Sequence, residues 1–176
     1  KDDEATISFD LISLMLSMES SAFQKELVHS GLAASASFFT WSQRFTSPLF
    51  FNLETNPDKA QAAYNKLIEL IERMKNGNFF SHKDLDIAKT SMEVHSAYDR
   101  ENGQQFALSL ASIWSSTGDI GYYLNYIPQV NKTTMADIQK VIEDYLNNKP
   151  HVSGAMSPQG MQQLEQIRRD KHKEYC

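Results

Sequence analysis

The chain has 176 residues, 41% of them hydrophobic, with 17 Lys and Arg against 22 Asp and Glu for a net charge of -5. That is ample for one core and short for two domains, and basic residues scattered over an acidic chain exclude a nucleic-acid footprint, so no nucleic-acid partner is expected. No apolar run approaches the roughly 20 residues that span a bilayer, "KDDEATISFD" is not patterned as a signal peptide, and Cys176, the only cysteine, rules out an internal disulfide and a cysteine-based zinc site.

Taken in order, the chain reads as helices broken by two clear strands. Ile7, Leu11, Leu14 and Met15 recur at helical spacing. Ser20 and Ser21 are positioned to cap a second helix carrying Phe23, Leu27 and Val28, and Gly31 supplies the residue that can end it at positive φ. "LAASASFFTW" and "SPLFFNLETN" alternate or are rich in aromatics, are separated by the polar "SQRFT", and are expected to pair antiparallel. Pro57 opens a helix at its first turn, with Ala60, Ala63, Leu67, Leu70, Ile71 and Met74 as its apolar stripe and Gly77 as its stop. Ser81 and Asp84 have capping-box spacing before a helix that runs to about Arg100. "QQFALSLASIWSS" is helical up to Gly118, and "DIGYYLNYIPQV" is a short aromatic helix expected to halt around Pro128. Thr134 and Asp137 cap an amphipathic helix with Ile138, Val141, Ile142 and Tyr145 inward. "HVSGAMSP" suggests a third strand, and residues 158–176 suggest a charged terminal helix of the same domain.

Local catalytic chemistry is thin. The histidines are His29, His82, His95, His151 and His172, and no two have the H-x-x-x-H or H-x-x-E-H spacing that puts two imidazoles on one helical face. Phosphate-binding glycine loops and G-x-S-x-G elbows are also absent, and no serine has a recognisable base partner. No catalytic residue and no cofactor is therefore assigned to this chain. Tyr122, Tyr123 and Tyr126 read as helix-packing residues with hydroxyls reaching the surface, and the aromatic strand residues as core packing before any chamber lining.

The order of elements carries more than any single residue. Gly31 to Ala33 form a G-L-A step from helix to strand, Thr55 to Pro57 a T-x-P turn into a long helix, Gly118 to Tyr123 a G-D-x-x-x-Y stretch, and Thr133 to Ile138 a V-T-x-x-D-V type of helix start. In this order they resemble the second, non-zinc domain of the pitrilysin/insulinase family of zinc peptidases, from about Asp3 to Pro158. The resemblance implies an α+β fold with helices packed on one face of an antiparallel-rich sheet. It places the domain at residues 1–157, with its leading strands missing and an open sheet edge that invites self-association. It also implies that zinc and general base come from an upstream zinc-binding domain or a second subunit, that the substrate is an unfolded peptide, and that the location is the bacterial periplasm or cell envelope. On that reading the isolated chain is inactive, as the substrate-enclosing part of a zinc metallopeptidase. The alternative is a structural or peptide-binding subunit of the same fold with no hydrolysis.

The same resemblance marks a departure. Active members carry R-x-x-x-G-L-x-Y at the step, with Arg and Tyr reaching substrate; aligned on Gly31, those positions are Leu27 and Ala34. Strand alternation and the resemblance together predict an open, chamber-lining face of Ala34, Phe38, Asn52 and Glu54, with Leu49, Phe51 and Leu53 toward the helices. The competing expectation is that Ala34 is small because a helix packs on it.

Overall fold

The computed structural model describes residues 3–41, 47–147 and 149–156. Helix α1 (Asp3–Ser17) is followed by a short α2 (Ala22–Gln24) that runs into a single π-helical turn (Lys25–His29). Two strands follow, β1 (Ser35–Thr40) and β2 (Leu49–Glu54), then a 3-10 turn (Pro57–Lys59) that leads into α3 (Ala60–Lys75). The remainder is helical: α4 (His82–Glu101), α5 (Gly103–Thr117), α6 (Gly121–Lys132) and α7 (Met135–Tyr145).

Helix α1 is apolar nearly all round, and a helix of that kind has to be covered on every side. Ile7, Leu11, Ile12, Met15 and Leu16 are each at most 1% exposed. It lies between the sheet on one side and α4, α6 and α7 on the other. Phe9 reaches Phe38 of β1 at a ring distance of 6.1 Å and Tyr145 of α7 edge-on at 5.5 Å. Among the described residues α1, through Phe9 on Phe38, and α2, through Phe23 on Phe51, meet the sheet on the same inner face, in keeping with the α+β reading.

The helix starts follow local chemistry. Ser21 caps α2 by accepting from the Gln24 N–H at 3.1 Å. Both capping boxes close: the Ser81 N–H donates to Asp84 at 2.9 Å and the Thr134 N–H donates to Asp137 at 2.7 Å. Gly31 turns the chain out of the π-helical turn at φ 75, where a Cβ would be strained.

Two expectations fail. Residues 151–156 of the expected third strand have no regular structure, and among the described residues the sheet has two strands. Val152 and Met156 are fully exposed, so this segment has no apolar face to bury against the sheet. Helix α6 also does not halt at Pro128 but continues to Lys132. A proline costs the one bond its missing N–H would give to the carbonyl four residues back, and Val130, fully buried just beyond it, keeps the last turn on the core. The terminal charged helix expected over 158–176 lies outside the described residues.

Candidate peptide-binding face

β1 and β2 pair antiparallel with Phe38 opposite Phe51 and Phe39 opposite Phe50. Directly paired residues share a face, so this register sorts the side chains into two sets. Ala36, Phe38, Phe51 and Leu53 turn toward the helices, with Phe38 4% exposed and its ring 4.7 Å from that of Phe51. Ser35, Ser37, Phe39, Phe50, Asn52 and Glu54 turn outward and are exposed.

The outward set is graded along the strands. At one end the Ser35 hydroxyl donates to Glu54 Oε2 at 3.1 Å, with Asn52 beside them. At the other end the Phe39 and Phe50 rings stack at 5.1 Å and 18° while remaining 43% and 38% exposed. Trp41, one step past β1, is 60% exposed. Carboxylate, amide and hydroxyl groups followed by bare aromatic rings can hold a peptide by hydrogen bonds at one end and apolar contact at the other.

The expected site residues do not all share this face. Asn52 and Glu54 lie on it, and Ala34 is exposed beside Glu54. Phe38 does not: it is buried against α1, whose Ser13 hydroxyl donates to the Phe38 carbonyl at 2.7 Å. The expected alternation from Ala34 to Phe38 breaks because Ala34 and Ser35 both stand opposite Glu54. Ser35 is its register partner, and the Ala34 N–H donates to the Glu54 carbonyl at 2.7 Å. Ala34 lies just before β1, and the Ala33 N–H already donates to the Leu27 carbonyl at 2.8 Å, so the strand alternation does not carry back through these residues. Ala34 is therefore exposed and Ala33 buried. The step itself is held by Thr55, whose hydroxyl donates to the Leu32 carbonyl at 2.6 Å, and by Lys59, whose Nζ donates to the Gly31 carbonyl at 2.9 Å.

Leu27, where the resemblance implies an arginine in active members, is fully buried in the core, and its carbonyl accepts from the Ala33 N–H at 2.8 Å. It serves packing and does not reach the outward face. Pairing with β2 leaves the carbonyls of Ala36 and Phe38 at the other edge of β1, where Gln24 Nε2 donates to Ala36 at 3.0 Å and Ser13 to Phe38. Side chains thus close part of that edge.

The described residues do not fit a zinc ion. Among the described residues no three His, Cys, Asp or Glu side chains converge as metal ligands, and zinc is held by three or four such donors. No step of peptide hydrolysis is assigned to the side chains of this chain. One polar pair escaped the sequence reading: Tyr126 does not send its hydroxyl to the surface but donates it to Asp10 Oδ2 at 2.6 Å. The signal available was Asp10 itself, an acid set among Phe9, Leu11 and Ile12 on the apolar helix.

Comparison with known proteins gives the following. The family model described as the peptidase M16 inactive domain matches residues 1–92, more than half of the 176 residues. A protease from Helicobacter pylori is similar with a TM-score of 0.73 at 23% identity, over 83% of this chain and 35% of that one. The inactive peptidase domain of a candidate zinc protease from Bordetella parapertussis gives 0.71 at 17% identity, over 88% of this chain and 87% of that one. A candidate zinc protease from Bordetella pertussis Tohama I gives 0.67 at 20% identity, over 81% and 79%. The chain thus spans about a third of the Helicobacter pylori protease, and at these identities the likenesses establish the fold. No protein of curated function matches the chain.

Proposed function

This chain belongs to the peptidase M16 family as an inactive, C-terminal-type domain, and from that membership we propose that it is the substrate-enclosing part of a zinc metallopeptidase. The zinc and the general base then belong to another domain or to a second subunit, and the outward face of β1 and β2 is the wall against which an unfolded peptide is held. The observation that carries this reading is the division of the sheet: helices cover one face, and the other leaves Phe39, Phe50 and Trp41 bare beside Asn52 and Glu54. Enclosure by such a wall excludes water and orders the peptide while the metal acts elsewhere.

Trp41 makes the reading testable in the isolated chain. With Trp114, the other tryptophan, replaced by Phe, an unfolded carboxymethylated protein should shift Trp41 emission saturably, and Phe39→Ser with Phe50→Ser should weaken binding at least tenfold. Unchanged emission at saturating peptide, or binding indifferent to the double variant, overturns the assignment of this face. The full-length protein with the same double substitution should show a raised KM for peptide hydrolysis with kcat less affected.

The replacement of the family's arginine and tyrosine by buried Leu27 and exposed Ala34 favours a second reading, a peptide-binding or structural subunit without hydrolysis in its assembly. A complex purified with its natural partner separates the two, since peptide cleavage that a chelator abolishes excludes this second reading.

A further inference from the structure

A cleft of about 400 Å3 opens among α1, α4, α5 and α6, with no strand residue in its lining. It therefore stands apart from the outward sheet face. Asp10 of α1 lines it, held by the Tyr126 hydroxyl at 2.6 Å, and the Met92 sulfur lies 3.9 Å from that hydroxyl. Tyr122 and Tyr123 continue the α6 wall, the Tyr122 ring 5.9 Å from that of Tyr126, and Asp99 enters from α4. The lining contains two carboxylates and one imidazole, that of His95, and no lysine or arginine.

Burial pushes the Asp10 carboxyl above its ordinary range, and the Tyr126 hydrogen bond pulls only partly against that. Attraction between a carboxylate and a cation grows as water is excluded, and tyrosine ring faces add a quadrupole that favours positive charge. The wall already shows this preference. The Arg100 guanidinium carbon lies 5.5 Å above the Tyr123 ring, and its Nε donates to the Tyr123 hydroxyl at 3.3 Å. The volume falls in the range of small-ligand sites, enough for a short alkyl chain with a charged head.

We propose that this cleft binds an alkylammonium or guanidinium group, seated against Asp10 and Asp99 and walled by Tyr122, Tyr123 and Tyr126. The group is carried by a free amine or by a Lys or Arg side chain of a polypeptide. The inference stands independently of the peptidase reading, because no residue of the outward face takes part.

The test uses the full chain at fixed ionic strength, with the Met92 methyl resonance as reporter. The probes are n-butylammonium, acetyl-Gly-Lys-Gly-amide and the neutral n-butanol. Both cations should shift Met92 saturably and bind at least tenfold more tightly than butanol. Asp10→Asn, whose amide oxygen still accepts from Tyr126, should weaken both at least tenfold with an unchanged circular dichroism spectrum. Should Asp10→Asn unfold the chain, Asp99→Asn, on half-buried Asp99, takes its place and should cost at least threefold. Tighter binding of the peptide than of butylammonium assigns the group to a polypeptide, and equal binding assigns it to a free amine. No saturable shift at Met92, equal binding of butanol, or cation binding indifferent to the carboxylate variants overturns the proposal.

Discussion

Phe38→Ala and Phe39→Ala change adjacent residues of one strand, and the register makes their costs differ several-fold. The Phe38 ring is 4% exposed and packs against Phe9 and Phe51 at 6.1 and 4.7 Å. Its truncation removes the transfer energy of the ring and leaves a void that α1 and β2 cannot close, a loss of about 3–5 kcal/mol. The Phe39 ring is 43% exposed and has one stacked partner, Phe50. Its truncation forfeits the pair term, about 0.5–1.5 kcal/mol. At a urea dependence of about 2 kcal/mol per molar, the midpoint falls by about 2 M for Phe38→Ala and by about 0.5 M for Phe39→Ala. Urea titration followed by far-ultraviolet circular dichroism measures both, since a total stability of about 5–15 kcal/mol leaves a folded baseline. A larger loss at Phe39 would show that the sheet faces are the reverse of those described, equal shifts would show that they are not distinguished by burial, and with either result the proposed peptide wall would fall.

The caps should each contribute: Ser81→Ala and Thr134→Ala are expected to cost about 1 kcal/mol apiece in the same titration, and no loss at either would contradict its capping box. The hydrogen bonds from Thr134 hold Asp137 below the usual carboxylate range. Its stabilisation is thus present above the unfolded value of about 3.9 and is lost as pH falls through the lower folded value; an NMR titration of Asp137 that shows no depression refutes this. Asp10 has the opposite sign, because burial raises its folded pKa. Its contribution falls as pH rises from about 3.9 to the folded value and is constant beyond it, so Asp10→Asn should flatten the stability profile within that interval, and an unchanged slope there would count against a buried Asp10. Gly31→Ala forces a side chain into φ 75 with no clash nearby, and its cost of about 1 kcal/mol is pure backbone strain; a neutral result would mean the step relaxes.

The sequence by itself determined the elements whose signals are local. Ser81 with Asp84 and Thr134 with Asp137 announce their helices because a cap and its third helical residue are neighbours in the chain. Gly31 announces a turn because only glycine takes positive φ without penalty. The succession of these signals was enough to reach the family, and the alternation of Leu49, Phe51 and Leu53 was enough to turn β2 correctly toward the helices. Tertiary structure alone decided what depends on pairing. The turn of the Ala34 N–H onto the Glu54 carbonyl is invisible in "AASASFF", yet it moved Ala34 off the face of Phe38, and the register alone set Phe39 beside Phe50 as the exposed aromatic pair. Helix continuity through Pro128 and the lack of a strand at 151–156 were likewise settled by what each segment could bury, Val130 in the core and Val152 in water. The bond from Tyr126 to Asp10 joins residues 116 positions apart. No period in the sequence couples them, because the contact exists only where α6 crosses the apolar helix that the whole fold surrounds.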